Sequence, residues 1–318
     1  MMKTQQTKGY FMVFIAGCLW GTNGMFSSWL REQGAESSTI AFLRLFTGAL
    51  MLIPIMIIMA KGTNLFKIDK KGMIASLALG IFSQGLFNFT YAEAIAHVGV
   101  ATSSVLAYTS PIFVCIMARI FFKENITPIK VLALVINIFG CTLTVTGGDF
   151  TAIQFSVYGA FMAVAAGFLY GLMTIISATT GAYHPLSIMF YSFVFGAAAL
   201  AIIGNPWGNI VETATPTLFV TAAGYGLFAT IGAYFIFMQG LKYDLEASKV
   251  PVVSSVETIV AAISGVFLFS ESIGGMKLVG MVMVLASIAI MNLVKPKKEQ
   301  QDRSEEDQER EKEKEALA

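Results

Sequence analysis

Apolar residues in this chain come in runs of about twenty, the length a helix needs to cross roughly 30 Å of hydrocarbon. Ten such runs fall near residues 10–30, 38–60, 72–93, 99–121, 128–147, 155–179, 184–204, 215–240, 247–269 and 273–294. The breaks between them, such as "KENITP", "TGGDFTA", "GAYHP" and "NPWGN", combine Gly, Pro, Asn and charge, as turns require. A membrane barrel would instead show short segments of alternating hydrophobicity. The pattern therefore predicts an all-α integral membrane protein with ten transmembrane helices.

Composition agrees. Of 318 residues, 56% are hydrophobic and only 13% charged, about half the usual soluble share of roughly 25%; the mean hydropathy is +0.70. Charge concentrates at the end, where "KPKKEQQDRSEEDQEREKEKEALA" reads as a solvated tail over 296–318. With both termini cytoplasmic, Lys3, Lys8, Lys61, Lys67, Lys70, Lys71, Arg119, Lys123, Lys130, Lys242 and Lys249 lie inside, and only Arg31 and Lys277 outside. That asymmetry obeys the positive-inside rule and predicts a multi-pass protein of a prokaryotic plasma membrane. The basic, then apolar, N-terminus resembles a signal peptide. Its apolar run continues past Ser27 without a small-x-small cleavage site, so it is read as an uncleaved first span. Cys18, Cys115 and Cys141 fall in apolar runs with neither metal nor disulfide spacing. No cofactor and no nucleic-acid partner is expected.

The two halves are alike when shifted by about 146–150 positions. "GCLWG" (17–21) sits against "GFLYG" (167–171), "FLRLFTGALML" against "FYSFVFGAAAL", and "IFFKENITPIK" against "FLFSESIGGMK", matching Glu124 to Glu271 and Lys130 to Lys277. This predicts two five-span units, 1–150 and 151–295, before the tail. Because five is odd, the second unit enters the membrane from the opposite face, as inverted repeats do in many secondary transporters.

The chain resembles the drug/metabolite transporter superfamily, EamA type. The resemblance rests on "LWGTN", "IAFLRLFTGAL", "SSVLAYTSPIFVCIMARIFFKE", "SSVETIVAAISGVFLFSE" and "GGMKLVGMVMVLAS", and covers about residues 10 to 294. Where the family pattern often has a Pro after the acidic residue of span 9, this chain has Thr258. The resemblance implies export of a metabolite or amino acid.

Residues three, four and seven apart share a helix face. Gln84, Asn88 and Tyr91 make such a stripe in span 3, answered in span 8 by Thr230 and Tyr234. Ser104, Tyr108, Pro111 and Cys115 line up in span 4, answered in span 9 by Ser254 and Glu257. Paired stripes predict a central substrate cavity lined by Trp20, Asn23, Gln84, Asn88, Tyr91, Tyr108, Tyr170, Thr230, Tyr234, Ser254 and Glu257. Gly17, Gly21 and Gly24, with Gly167 and Gly171, predict close helix packing in spans 1 and 6. Pro111 and Pro251 predict local bends.

Glu257 raises the sharpest question, since a charge at bilayer depth costs about 3 kcal/mol or more. It faces a cavity, where it is either a proton-coupling site or the partner of a substrate amine. Arg44 is read as its structural counter-ion. Glu93, His97 and His184 are read as interfacial. The chain is thus expected to move a small polar or amphipathic metabolite such as an amino acid outward by alternating access, as a monomer or homodimer. An enzyme would need paired acids, a nucleophile with its base, or clustered ligands, and the sequence has no HExxH or GxSxG and two peripheral histidines. A scaffold recruiting partners through the charged tail is the other rival; duplicated polar stripes argue against it.

Overall fold

The computed structural model describes residues 2–60, 64–151, 156–269 and 274–293, and every element among them is helical. The sequence match drawn to Glu271, the tail from residue 294 and the orientation of Ala318 lie outside the described residues.

The first apolar run is broken in two. α1 (Met2–Trp20) stops at Gly21–Thr22 before α2 (Asn23–Glu32), and the Thr22 N–H and hydroxyl both donate to the Leu19 carbonyl, at 3.1 and 2.7 Å. α3 (Ser37–Met59) follows. α4 (Lys70–Ala78) starts on Asp69, whose carboxylate accepts the Gly72 N–H at 2.8 Å, and it passes through a π-helical segment, Leu79–Leu86, into α5 (Phe87–Ala107).

Together these last three segments span 38 residues, which would stretch ~57 Å if straight, nearly twice the hydrocarbon thickness. Gly99, at φ 72 and ψ 169, breaks the run. The Tyr91 hydroxyl meets the Ser104 hydroxyl at 2.8 Å, thirteen positions away, which is possible only because the chain turns back at Gly99. Span 3 thus ends at Val98, several residues later than the sequence pattern predicts, and span 4 is split into the end of α5 and α6 (Ser110–Phe121).

α7 (Pro128–Thr146) is capped by Thr127 and ends on Gly147 in the left-handed region, at φ 64. The chain continues as α8 (Val157–Thr179), α9 (Pro185–Ile203), a short α10 (Trp207–Thr213), α11 (Pro216–Tyr225), a π-helical segment Gly226–Gly232, and α12 (Ala233–Leu241). A 3-10 turn, Ala247–Lys249, leads to α13 (Val250–Ser254), α14 (Val256–Phe269) and α15 (Gly275–Leu293). The π segments begin at 79 and 226, and the breaks in spans 4 and 9 fall at Tyr108 and Ser255; both pairs are offset equally. Pro111 and Pro251 open α6 and α13 rather than bend them. Proline suits that place because the first-turn N–H has no helical partner anyway.

Eight described helical stretches are long and apolar enough to cross a membrane, and α6 is a shorter apolar one. The number differs from ten because the first run is interrupted at Gly21–Thr22 and spans 3 and 4 are joined across Gly99.

Packing ties the halves together. α1 lies on α12, α13 and α14, while α8 lies on α5 and α6; α3 pairs with α9, and α7 with α15. Small residues allow the closest approaches. A Cβ on Gly17 would stand 2.6 Å from the Ser254 carbonyl, and one on Gly140 would stand 2.9 Å from the Val284 nitrogen. Asn137, 1% exposed, donates to Ser255 at 2.6 Å and Ser287 at 2.9 Å, joining α7 to spans 9 and 10. Each such bond in a membrane contributes about 0.6 kcal/mol.

Candidate transport cavity

A cavity of 610 Å³ lies between the halves. Its wall is built from α1–α2, α3, α5, α6, α7, α8, α11–α12 and α13–α14, with Lys277 of α15 at its mouth. Helix breaks shape it: Trp20 and Asn23 flank the α1–α2 interruption, Tyr108 the α5–α6 break, and Ser255 and Glu257 the α13–α14 break. Backbone freed from regular helix there lets short side chains reach space that a straight helix would fill.

Of the residues expected on the wall, Trp20, Asn23, Asn88, Tyr91, Tyr108, Tyr170, Tyr234 and Glu257 line it. The aromatics form one connected surface. Trp20 meets Tyr234 edge-on at 5.2 Å and Tyr170 at 6.4 Å, and Phe87 links Tyr170 at 5.7 Å to Tyr91 at 5.8 Å. Tyr170 and Glu257 both line this wall, and the Tyr170 hydroxyl and the Asn23 Oδ1 are each buried without a hydrogen-bond partner.

Gln84, Thr230 and Ser254 sit behind the wall instead. Gln84 is 2% exposed in the π segment, packed against Gly196 of α9. The extra residue of a π turn rotates the helix face, so the stripe drawn with a plain 3.6-residue period misplaces Gln84 and its counterpart Thr230. Thr230 donates to the Tyr225 carbonyl five residues back, at 3.1 Å. Ser254 donates to the Pro251 carbonyl at 3.2 Å, and the neighbouring Ser255 lines the cavity in its place.

The glycines divide similarly. Gly17 and Gly21 press on α13 and α14, and Gly167 and Gly171 on α5 and α6. Gly24 meets nothing within 4 Å and faces the cavity, so it packs no helix.

Arg44 also lines the cavity but forms no ion pair with Glu257, contrary to its reading as a counter-ion. It is 7% exposed, its Nε has no partner, and Asn88 Oδ1 accepts from it at 3.5 Å. His97 and His184 are peripheral: the first meets Tyr158 edge-on at 4.8 Å and contacts the Glu93 carbonyl, and the second caps α9 by accepting the Leu186 N–H at 3.3 Å. Burial, then Lys242, lowers the His184 pKa from its ordinary value.

The mouth is defined by Arg31, Ser37, Ile95, Val100, Val145 and Lys277, all at one end of the bundle. The opposite end is shut by a buried ionic network that sequence reading missed. Glu124 accepts the Ala247 N–H at 2.6 Å and the Ser248 N–H and hydroxyl at 3.2 and 2.5 Å. Lys130 reaches Ser248 at 3.0 Å, Glu246 at 3.4 Å and Glu124 at 3.8 Å, and Lys249 pairs with Glu246 at 2.7 Å. The Tyr10 hydroxyl of α1 accepts the Glu246 N–H at 3.2 Å. The network therefore bolts the α6–α7 connection to the α12–α13 connection and to α1. One sequence signal pointed there: Glu124 and Lys130 fall in the repeat match.

The model of the EamA-like transporter family matches residues 7–146 and 157–293. This chain belongs to that family. Relatives of the EamA-like chain include an uncharacterized transporter of Archaeoglobus fulgidus, 26% identical over 89% of this chain and 95% of its own. The pseudopaline exporter of Pseudomonas aeruginosa is 25% identical over 87% and 93%, and the S-adenosylmethionine uptake transporter of Rickettsia bellii 24% over 83% and 85%. A crystal structure 15% identical in sequence superposes with a TM-score of 0.75 over 89% of this chain and 94% of its own, a likeness of fold. Family and apolar helices together make this a multi-pass membrane transporter.

Proposed function

We propose that this EamA-like chain is a ten-span secondary transporter that moves a small amphipathic metabolite such as an amino acid outward by alternating access. Its units would be two inverted five-span repeats, 1–150 and 151–295. The matched π segments and helix breaks support the duplication, as does the exchange of partners, α1 against the second unit's helices and α8 against the first's.

The observation that carries the reading is the cavity itself: aromatic-walled with a few polar and charged side chains, open at one bundle end and closed at the other by a buried network. Its 610 Å³ lies in the usual small-molecule range of ~300–1,000 Å³. The Lys/Arg bias supports a cytoplasmic site for the closed end and for both termini, so this conformation is outward-open.

In this mechanism Trp20, Tyr108, Tyr170 and Tyr234 supply apolar contact area, and Glu257 holds the substrate's amine. The relatives differ in substrate and direction, one exporting pseudopaline and another taking up S-adenosylmethionine, so the cavity wall rather than the family sets specificity. Purified protein in liposomes, tested for counterflow with a panel of amino acids, amines and small organic acids, checks the reading. Glu257→Gln is expected to weaken amine substrates about tenfold or more and Glu257→Asp less, the loss expected for one charge-assisted hydrogen bond. Counterflow of no panel member would overturn it.

A further inference from the structure

Resting on the transporter reading above, we infer that Arg44 is an anion anchor and that the substrate carries a carboxylate as well as an amine, bridging Arg44 and Glu257 as a zwitterion. A guanidinium has five N–H donors in a planar fork suited to carboxylate. Here, at 7% exposure, it makes one long bond, 3.5 Å to Asn88 Oδ1, and its Nε makes none. Asn88 cannot swing closer, because its own amide donates to the Gln84 carbonyl at 2.5 Å. The Tyr225 ring lies 5.5 Å from the guanidinium carbon. That face supports the cation but supplies no acceptor for the Nε donor in the guanidinium plane.

A buried, uncompensated charge is costly, and the obvious internal remedy is absent: Glu257 lines the same cavity without pairing with Arg44. The two charges reach the cavity from different helices, Arg44 from α3 and Glu257 from α14. Among the described residues the lining carries three cations, Arg31, Arg44 and Lys277, against Glu257 alone. A carboxylate entering that field is attracted, and in Arg44 it finds a buried guanidinium whose Nε has no partner. A neutral or purely cationic ligand would leave Arg44 as it stands now.

The test uses wild type, R44Q and R44K in detergent and in liposomes. Probes are the twenty common amino acids and, for each that binds, its carboxamide and its decarboxylated amine. Wild type is expected to bind the acid tightest, and R44Q to lose about tenfold or more for the acid while binding the carboxamide as before. R44K, a point charge without the fork, should recover part. A second readout avoids the variants: phenylglyoxal modification of wild-type Arg44, followed by mass spectrometry, should slow when the bound acid is present and not with its amine.

R44Q retaining the full preference for acid over carboxamide, or an acid that leaves Arg44 modification unchanged, overturns the inference. Transport confined to amines and carboxamides sinks it while sparing the transporter reading. Binding and transport of no probe at all sinks both.

Discussion

Lys130→Met should unseal the closed end of the bundle. Lys130 is 1% exposed, Lys249 2% and Glu124 8%, and two lysines balance two glutamates, so removing one lysine leaves a net negative charge buried. Breaking a buried pair from one side costs about 3–5 kcal/mol. The lower end applies here, because Glu124 keeps two backbone N–H donors and the Ser248 hydroxyl, and Glu246 keeps Lys249 at 2.7 Å. This cost falls on the sealed conformation, where the charges are dry. It vanishes in a conformation that parts the α6–α7 and α12–α13 connections and wets them. A penalty of about 3 kcal/mol shifts that equilibrium roughly 100-fold.

A native reporter is at hand: Cys115, 4% exposed, lies within electrostatic reach of Lys130 and Glu124. With Cys18 and Cys141 replaced by alanine, its rate of maleimide labelling in detergent should rise tenfold or more in Lys130→Met. Adding Glu124→Gln should recover part of the protection, since a neutral pair desolvates more cheaply than a lone carboxylate. An unchanged labelling rate in a variant that still elutes and melts as folded protein would refute a sealing role for the network.

Two further predictions concern packing and a cap. Gly17→Val should lower the melting temperature in detergent, overpacking costing about 1–3 kcal/mol, because a Cβ there would stand 2.6 Å from the Ser254 carbonyl. Gly24→Ala, with nothing within 4 Å, should leave it unchanged; equal effects would discard this division of the glycine face. Asp69 accepts the Gly72 N–H at 2.8 Å and the Tyr183 hydroxyl at 2.7 Å, and these bonds hold its pKa below the usual carboxylate value. A depressed folded-state pKa gives stability present above about pH 4 and lost as pH falls through it. Asp69→Asn should therefore melt earlier than wild type at pH 7, and the gap should close in acid; a pH-independent gap would show that the charge is irrelevant.

Much of the architecture is legible in the order of apolar runs, because bilayer thickness fixes their length and backbone satisfaction fixes their helicity. What the runs do not reveal is where a helix stops being regular. Gly21–Thr22, Gly99 and the two π segments carry no breaker stronger than a glycine, and membrane helices contain many glycines that break nothing. Gly99 differs from Gly167 only in its neighbours: one takes φ 72 with open space beside it, while the other is pressed against the Ala107 carbonyl. Side-chain stripes drawn through an undetected π turn rotate off register, which is why Asn88 and Tyr91 reach the cavity and Gln84 does not.

The charges teach a related lesson about function. Depth in an apolar run marks Arg44 and Glu257 as unusual, whereas Lys130, two residues into its run, reads as an ordinary cytoplasmic lysine. Their partners separate them. Lys130 is saturated, with a hydroxyl and two carboxylates within 4.0 Å, and so belongs to the machinery that holds one conformation together. Arg44 is also buried yet has a donor without an acceptor, and so is built to meet something that is not part of the chain. A transporter needs both kinds of charge, the first satisfied in only one of its conformations and the second satisfied only when loaded. Cargo that completes Arg44 and Glu257 removes the expense of leaving them open. The empty cavity would otherwise meet that expense again each time it closed, so loading favours the crossing that an empty carrier resists.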